Sequence, residues 1–201
     1  TELMLCRWLD GGVSPFHTVC MAADELTQVG FTALRLDGDF SAVQKGGRYF
    51  VENGTSLAAF TVGSRAEHFR IAAAHTDWPC LRVKPQPETL AGGCCKLNVE
   101  PYGGAILNTW LDRPLGLAGV ALVRTDDPMR PARRLVAWDE PLAIIPNVAI
   151  HMNRNANDGM SYNAAVDMLP VWMSSEKGSF RAAVAKAAGV AEDAIVTGDL
   201  F

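Results

Sequence analysis

From Ser14 onward, apolar residues recur with the period of a helix: Phe16, Val19, Cys20, Ala23 and Leu26 fall on one stripe. Ser14 is of the type that caps helix N-termini, Pro15 suits the first helical position, and Gly30 ends the run. The pattern predicts an amphipathic helix of about fifteen residues. The period then shortens to that of strands. Residues 31–36 predict a short strand, and two β-rich stretches, 48–53 and 55–62, flank Asn53-Gly54, which predicts a hairpin. Residues 68–74 are rich in small apolar side chains and lead into His75-Thr76-Asp77. A run of that kind suits a central strand covered on both faces. Helix, hairpin and buried strand together predict an α/β layered domain.

The texture changes after Asp77. Pro79, Pro85 and Pro87 punctuate the chain and Gly92-Gly93 follows, which places a domain boundary near 86–93. Beyond it, short β-type stretches at 95–99, 117–124, 134–138 and 142–145 are separated by Gly103-Gly104, Asp126-Asp127-Pro128 and Glu140-Pro141. Residues 153–163, rich in Asn and Gly, predict a loop, and 180–188 a helix closed by Gly189. The expected organisation is therefore an α/β part over 1–88 and a mostly β part over 89–201.

Composition narrows the function classes. The 201 residues carry 18 Lys and Arg against 22 Asp and Glu, a net charge of −4, which argues against a nucleic-acid binder needing a basic face. The longest wholly apolar runs are about five residues, far short of a membrane span. Glu2, Arg7 and Asp10 interrupt any apolar leader near the start. Five cysteines, an odd number with no secretion signal, predict reduced thiols in a cytoplasmic protein, packed as small buried apolar residues.

Few residues carry candidate chemistry. His75 and Asp77, two apart on an extended chain, point to one face at the end of the expected strand, where ligand sites gather in α/β sheets. Imidazole is a good zinc ligand, and a nearby carboxylate orients the ring and fixes its tautomer. The same pair also serves as an ordinary structural contact at strand ends. His151, ahead of the Asn-rich loop, is open to two readings, a locally bonded side chain or a substrate contact. His17 and His68 are incidental, and Glu100, Tyr102 and Asp112 either act in function or satisfy turns. No Gly-x-Ser-x-Gly elbow and neither phosphate-binding glycine pattern occurs.

Several segments, taken in order, say more than any one of them. They are Ser14-Pro-Phe-His17, Gly46-Gly-Arg-Tyr-Phe-Val51, Ala74-His-Thr-Asp-Trp-Pro-Cys-Leu-Arg-Val-Lys-Pro85, Tyr102-Gly-Gly104, Leu107-Asn-Thr-Trp-Leu-Asp-Arg113, Leu117-Ala-Gly119 and Ile145-Pro-Asn-Val-Ala-Ile-His-Met-Asn-Arg154. In this order and spacing the chain resembles the aspartyl aminopeptidases, a family of zinc metallo-exopeptidases, from about residue 5 to the end. The resemblance implies removal of N-terminal acidic residues from peptides by a pair of zinc ions. It also implies an α/β/α sandwich catalytic domain with a mostly β dimerisation domain inserted, and large oligomers assembled through dimers.

Residue by residue, the resemblance makes His75 a zinc ligand and Asp77 the carboxylate that positions it. It makes His151 a substrate contact in the active site of a neighbouring subunit. Two departures stand out. Trp78 occupies a position where the family has Ser, and Pro101 one where a small or β-type residue is usual. Family members are about twice as long, and their second halves supply an Arg-Leu-Asp-Asn motif, a Glu-Glu pair and a final His that have no counterpart here. The chain is therefore expected to be the N-terminal half of such an enzyme, inactive alone and weak in zinc binding. The alternative is a non-catalytic truncated homologue that keeps the dimerisation surface and acts as an assembly partner. The motif series argues against an unrelated small-molecule binding domain.

Overall fold

In the computed structural model two helices open the chain, α1 (Glu2–Gly11) and α2 (Pro15–Gln28). The structure describes residues 2–65, 68–91, 93–172 and 179–201, and the chain divides into two compact units, Thr1–Trp78 and Pro79–Phe201. The sequence-based boundary near 86–93 falls inside the second of these, in a β-hairpin, and Gly92 lies outside the described residues.

In the first unit, α2 starts as its sequence predicts. Ser14 is fully buried, and its hydroxyl accepts from the His17 backbone N–H while meeting His17 Nδ1 at 2.7 Å. The helix packs its Val19 and Ala23 stripe onto a three-stranded sheet of β1 (Thr32–Leu34), β2 (Arg48–Asn53) and β3 (Ser56–Thr61), in the order β1-β2-β3. β1 runs parallel to β2, and β2 and β3 form the hairpin predicted around Asn53-Gly54, with Gly54 at φ 68° in the left-handed conformation such a turn needs. Tyr49 and Phe50 are both buried and, as neighbours on β2, point to opposite faces of the sheet, the Tyr49 hydroxyl accepting the Gln44 N–H. Helix α1 has no counterpart among the elements predicted from the pattern. It is short and most of its apolar side chains, Leu3, Met4, Leu5 and Leu9, are exposed.

Residues 68–75 correct the sequence reading. They form no strand and lie exposed, with Phe69 at 89% and Ile71 at 86% of full accessibility. A central strand needs a hydrogen-bonding neighbour on each side and cover on both faces. Among the described residues no strand of the first unit pairs with this run.

The second unit is mostly β. One sheet has the order β4-β5-β10-β9-β6, built from β4 (Cys80–Ala91), β5 (Cys94–Tyr102), β6 (Pro114–Leu115), β9 (Ala143–Ile144) and β10 (Val171–Trp172). The other has the order β11-β7-β8, from β7 (Ala118–Val123), β8 (Ala132–Ala137) and β11 (Ile195–Leu200). A short helix α3 (Ala164–Asp167) precedes β10. Helix α4 (Phe180–Ala188) forms as predicted, capped by Ser179 and closed by left-handed Gly189.

The core is continuous across both sheets and α4: Val99, Ala121, Val136, Ile145, Met168 and Val184 are each nearly or fully buried. Two features tie the sheets together. Arg82 of β4 grips Asp199 of β11 with two parallel hydrogen bonds (2.8 and 2.9 Å) and lies over the Phe201 ring. At β7, a Cβ on Gly119 would run into the Asp199 carbonyl oxygen, so only glycine lets β11 approach so closely.

The Pro-punctuated stretch expected to be a boundary is instead the long strand β4. Its register with β5 shifts between Val83↔Val99 and Glu88↔Leu97, so residues 84–87 face Asn98 alone. Pro85 and Pro87 sit in this bulge, where no ladder N–H is required of them, and Asn98 Nδ2 donates to the Gln86 carbonyl.

The architecture is thus the α/β type expected from the pattern, with the β-rich part second. Among the described residues no helix is long and apolar enough to cross a membrane.

Candidate functional site

His75-Thr76-Asp77 closes the first unit. His75 Nδ1 lies 2.9 Å from Asp77 Oδ1, so the spacing of two brings ring and carboxylate together as predicted. With Nδ1–H donating to the carboxylate, the neutral ring turns its Nε2 lone pair outward, the tautomer a metal ligand needs. The imidazole is 91% exposed and Asp77 only 28%, so the carboxylate is set into the protein and the ring projects from it.

What holds the triplet is a contact that sequence spacing does not reveal. Thr76 Oγ1 donates to the Thr55 carbonyl at 2.6 Å, pinning the segment to the tip of the β2–β3 hairpin twenty-one residues back. A threonine beside an Asn-Gly turn carries no signal that it will accept from a later hydroxyl. Trp78 follows the triplet and is partly exposed.

A catalytic zinc site takes three protein ligands and an open position. The His75–Asp77 pair suits one such ligand with its orienting carboxylate. Among the described residues no group of three or more His, Cys, Asp or Glu is placed to hold a metal ion. The pair therefore fits a share of a metal site and does not complete one.

His151 lies in the second unit, exposed in a turn that Met152 N–H closes onto the Ala149 carbonyl (2.8 Å). It begins the turn-rich loop expected over 153–163, where Asn153 Nδ2 contacts Met160 Sδ and successive turns form at Asn153 and Asn155. Of the other sequence candidates, Glu100 is exposed on β5, Tyr102 stacks edge-on against Phe201, and Asp112 accepts a hydrogen bond from the Asn147 backbone. His17 is half-buried, and burial holds its imidazole below the usual histidine value.

None of the five cysteines is in a disulfide, and only Cys80 among them is buried. Cys20 and Cys95 are half-buried, and Cys6 and Cys94 are exposed, which corrects the expectation that all five would be packed away. Burial pushes the Cys20 and Cys95 thiols up, with Asp24 and Glu88 respectively adding to it, so neither is an activated nucleophile.

Comparison with known proteins gives a coherent picture. The profile of the family described as aminopeptidase I zinc metalloprotease (M18) matches residues 8–200. A relative named "Probable M18 family aminopeptidase 2" from Clostridium acetobutylicum is 43% identical over 163 residues, covering 79% of this chain and 37% of its own. A protein of the same name from Pseudomonas syringae pv. syringae is 41% identical over 185 residues, covering 89% and 42%. The chain thus spans about two-fifths of the length of these curated relatives.

Among solved structures, a chain of the cryo-EM structure of the Ape4 and Nbr1 complex superposes with a TM-score of 0.87 at 31% identity, covering 97% of this chain and 42% of that one. The S. cerevisiae mApe1 dodecamer shares the fold at a TM-score of 0.74 and 23% identity, over 97% of this chain and 46% of that one.

Proposed function

The chain belongs to the aminopeptidase I zinc metalloprotease (M18) family, and on that premise we propose that it is the N-terminal part of a metal-dependent aminopeptidase. Its substrates are peptides with an N-terminal acidic residue, and its setting is the cytoplasm. The observation that carries the reading is the His75–Asp77 contact at 2.9 Å, an imidazole oriented by a carboxylate with its outer nitrogen free, within a chain that matches the family over 8–200. The first unit, ending at Trp78, is the start of the α/β peptidase domain, and the second, from Pro79, belongs to the dimerisation domain through which the protein self-associates.

In this reading His75 is the chain's share of a two-zinc site, and Asp77 keeps its ring in the ligating tautomer. Thr76 holds both by its hydrogen bond to Thr55. A zinc ion bound there would polarise the scissile carbonyl and lower the pKa of bound water. His151 contacts substrate in the site of a neighbouring subunit. The remaining ligands come from outside these 201 residues, so the chain alone binds zinc weakly and does not turn over peptides. That same single-ligand share also favours a second reading, in which the chain is a non-catalytic assembly partner that uses the second unit to join full-length subunits.

The test compares two preparations. The purified chain with zinc should release no detectable p-nitroaniline from Asp-p-nitroanilide. In a peptidase-active form that includes this sequence, His75→Ala should abolish turnover and reduce bound zinc. Unchanged zinc content and turnover in that variant would overturn the assignment. Absence of any active form that includes the chain would leave the assembly-partner reading standing.

A further inference from the structure

We propose that Asp112 is a positioning residue that fixes the direction in which the loop carrying His151 leaves the sheet after β9. Its functional meaning rests on the reading of His151 as a substrate contact. Among the described residues, Asp112 is the non-glycine residue with a left-handed backbone, at φ 56°. Aspartate is one of the few side chains that tolerate this region, and such outliers persist where surrounding structure holds them.

The conformation has a local task. Before it, Leu111 bridges Ile145 in parallel; after it, Pro114 and Leu115 pair with Ile144 and Ala143 in antiparallel fashion. The chain therefore reverses at Asp112 while its two arms pair with the consecutive residues 143–145, the first with Ile145 and the second with β9. At the reversal the Asp112 backbone N–H donates to the Ile145 carbonyl at 2.9 Å. Its carboxylate accepts the Asn147 backbone N–H, also at 2.9 Å.

Between those two bonds lies Pro146, which has no N–H and ends the β9 ladder. The Asp112 side chain thus takes the place of the strand carbonyl that would have received the next donor. Asn147 passes the constraint on, its Oδ1 accepting from the Val148 N–H at 2.8 Å. Ile145 anchors one end at 1% exposure. Beyond Val148 the side chains give little hold, since Ile150 and Met152 are exposed along with His151. The exit direction of the segment is therefore set at Asp112.

Three substitutions separate the parts of this arrangement. Asp112→Gly keeps the left-handed backbone and loses the acceptor. Asp112→Asn keeps both the backbone tolerance and a carbonyl acceptor. Asp112→Ala loses both. Hydrogen exchange on the 201-residue chain should show the Asn147 amide losing about tenfold protection or more in Asp112→Gly and Asp112→Ala. Asp112→Asn should stay close to the parent, and β7 amides should be unchanged in Asp112→Gly. Residual dipolar couplings of Val148 and His151 should change in Asp112→Gly and return in Asp112→Asn. Unaltered protection and couplings in Asp112→Gly would overturn the proposal even if Asp112→Ala fails to fold.

In a peptidase-active form that includes this sequence, Asp112→Gly should raise KM with kcat largely kept. The double variant with His151→Ala should be no worse than His151→Ala alone. Additive losses would overturn the positioning role. If His151→Ala itself leaves KM unchanged while Asn147 loses protection in Asp112→Gly, it is the reading of His151 that fails, and Asp112 still positions the loop.

Discussion

The two units bury their apolar residues very differently. The second closes on itself: strands from both sheets and α4 share one core, and its Ala121 and Met168 are wholly shielded from solvent. The first has a well-made contact where α2 meets its sheet, with Val19 and Phe50 buried, yet leaves Phe69, Ile71 and most of the apolar face of α1 in water. Large apolar side chains exposed several at a time along one segment mark a face that gains by being covered. A run of residues can thus be apolar for the sake of contacts that its own unit does not supply, and the residues next to the candidate metal ligand are of that type.

The contrast predicts where substitutions hurt. The largest effect is expected from Gly119→Ala, because the new methyl meets main chain that cannot swing aside. A loss of about 3 kcal/mol from the second unit is expected. Urea unfolding followed by the tryptophans of that unit, Trp110, Trp138 and Trp172, should show it, with the first unit's transition unmoved. An unchanged midpoint would mean that β7 and β11 separate without cost.

A smaller, pH-dependent effect belongs to the first unit. Burial lowers the folded-state pKa of His17, so the unfolded chain takes up a proton before the folded one as pH falls. Its contribution is therefore complete above the ordinary histidine value of about 6.5 and is lost as pH drops through the depressed folded value. The urea midpoint of the first unit should be lower at about pH 5.5 than at about pH 7.5, and His17→Gln should flatten that slope. A slope that survives the substitution would assign the pH dependence elsewhere.

The smallest effect on folding is expected at Phe69. Its ring is exposed, so Phe69→Ser should change the stability of this chain by no more than about 0.5 kcal/mol while raising its solubility. A loss on the scale of Gly119→Ala would show that residues 68–75 are packed after all and would dissolve the contrast between the units.

The same contrast explains what was legible in the sequence. Elements fixed by local chemistry were readable: the Ser14-Pro15 start of α2, the Asn53-Gly54 hairpin and the Gly189 stop of α4 each need only a few neighbouring residues. Elements fixed by partners were not. Strand β4 was obscured because Pro85 and Pro87 look like breakers, and only the register shift opposite Asn98 shows how a strand accommodates them. Residues 68–74 read as a strand from composition, but composition does not supply a neighbouring strand. Strand β11 lacks a strong alternating pattern and is held by its pairing with β7.

At the candidate site, the His75–Asp77 contact followed from a spacing of two. The support from Thr55 did not, because it joins segments twenty-one residues apart. Asp112 was visible only as a polar residue near turns; its left-handed backbone becomes meaningful once Pro146 is seen to end the strand beside it.

The hydrogen bond from Thr76 to Thr55 has a consequence for how this region tolerates change. Hairpin tips ordinarily absorb insertions with little harm. Here the tip serves as a ruler, setting the height at which an imidazole is presented. One extra residue in the turn lengthens the chain by up to about 3.5 Å, whereas metal–ligand bonds tolerate about 0.2 Å. The hairpin tip should therefore be as intolerant of length change as a core strand, although nothing in its own sequence says so.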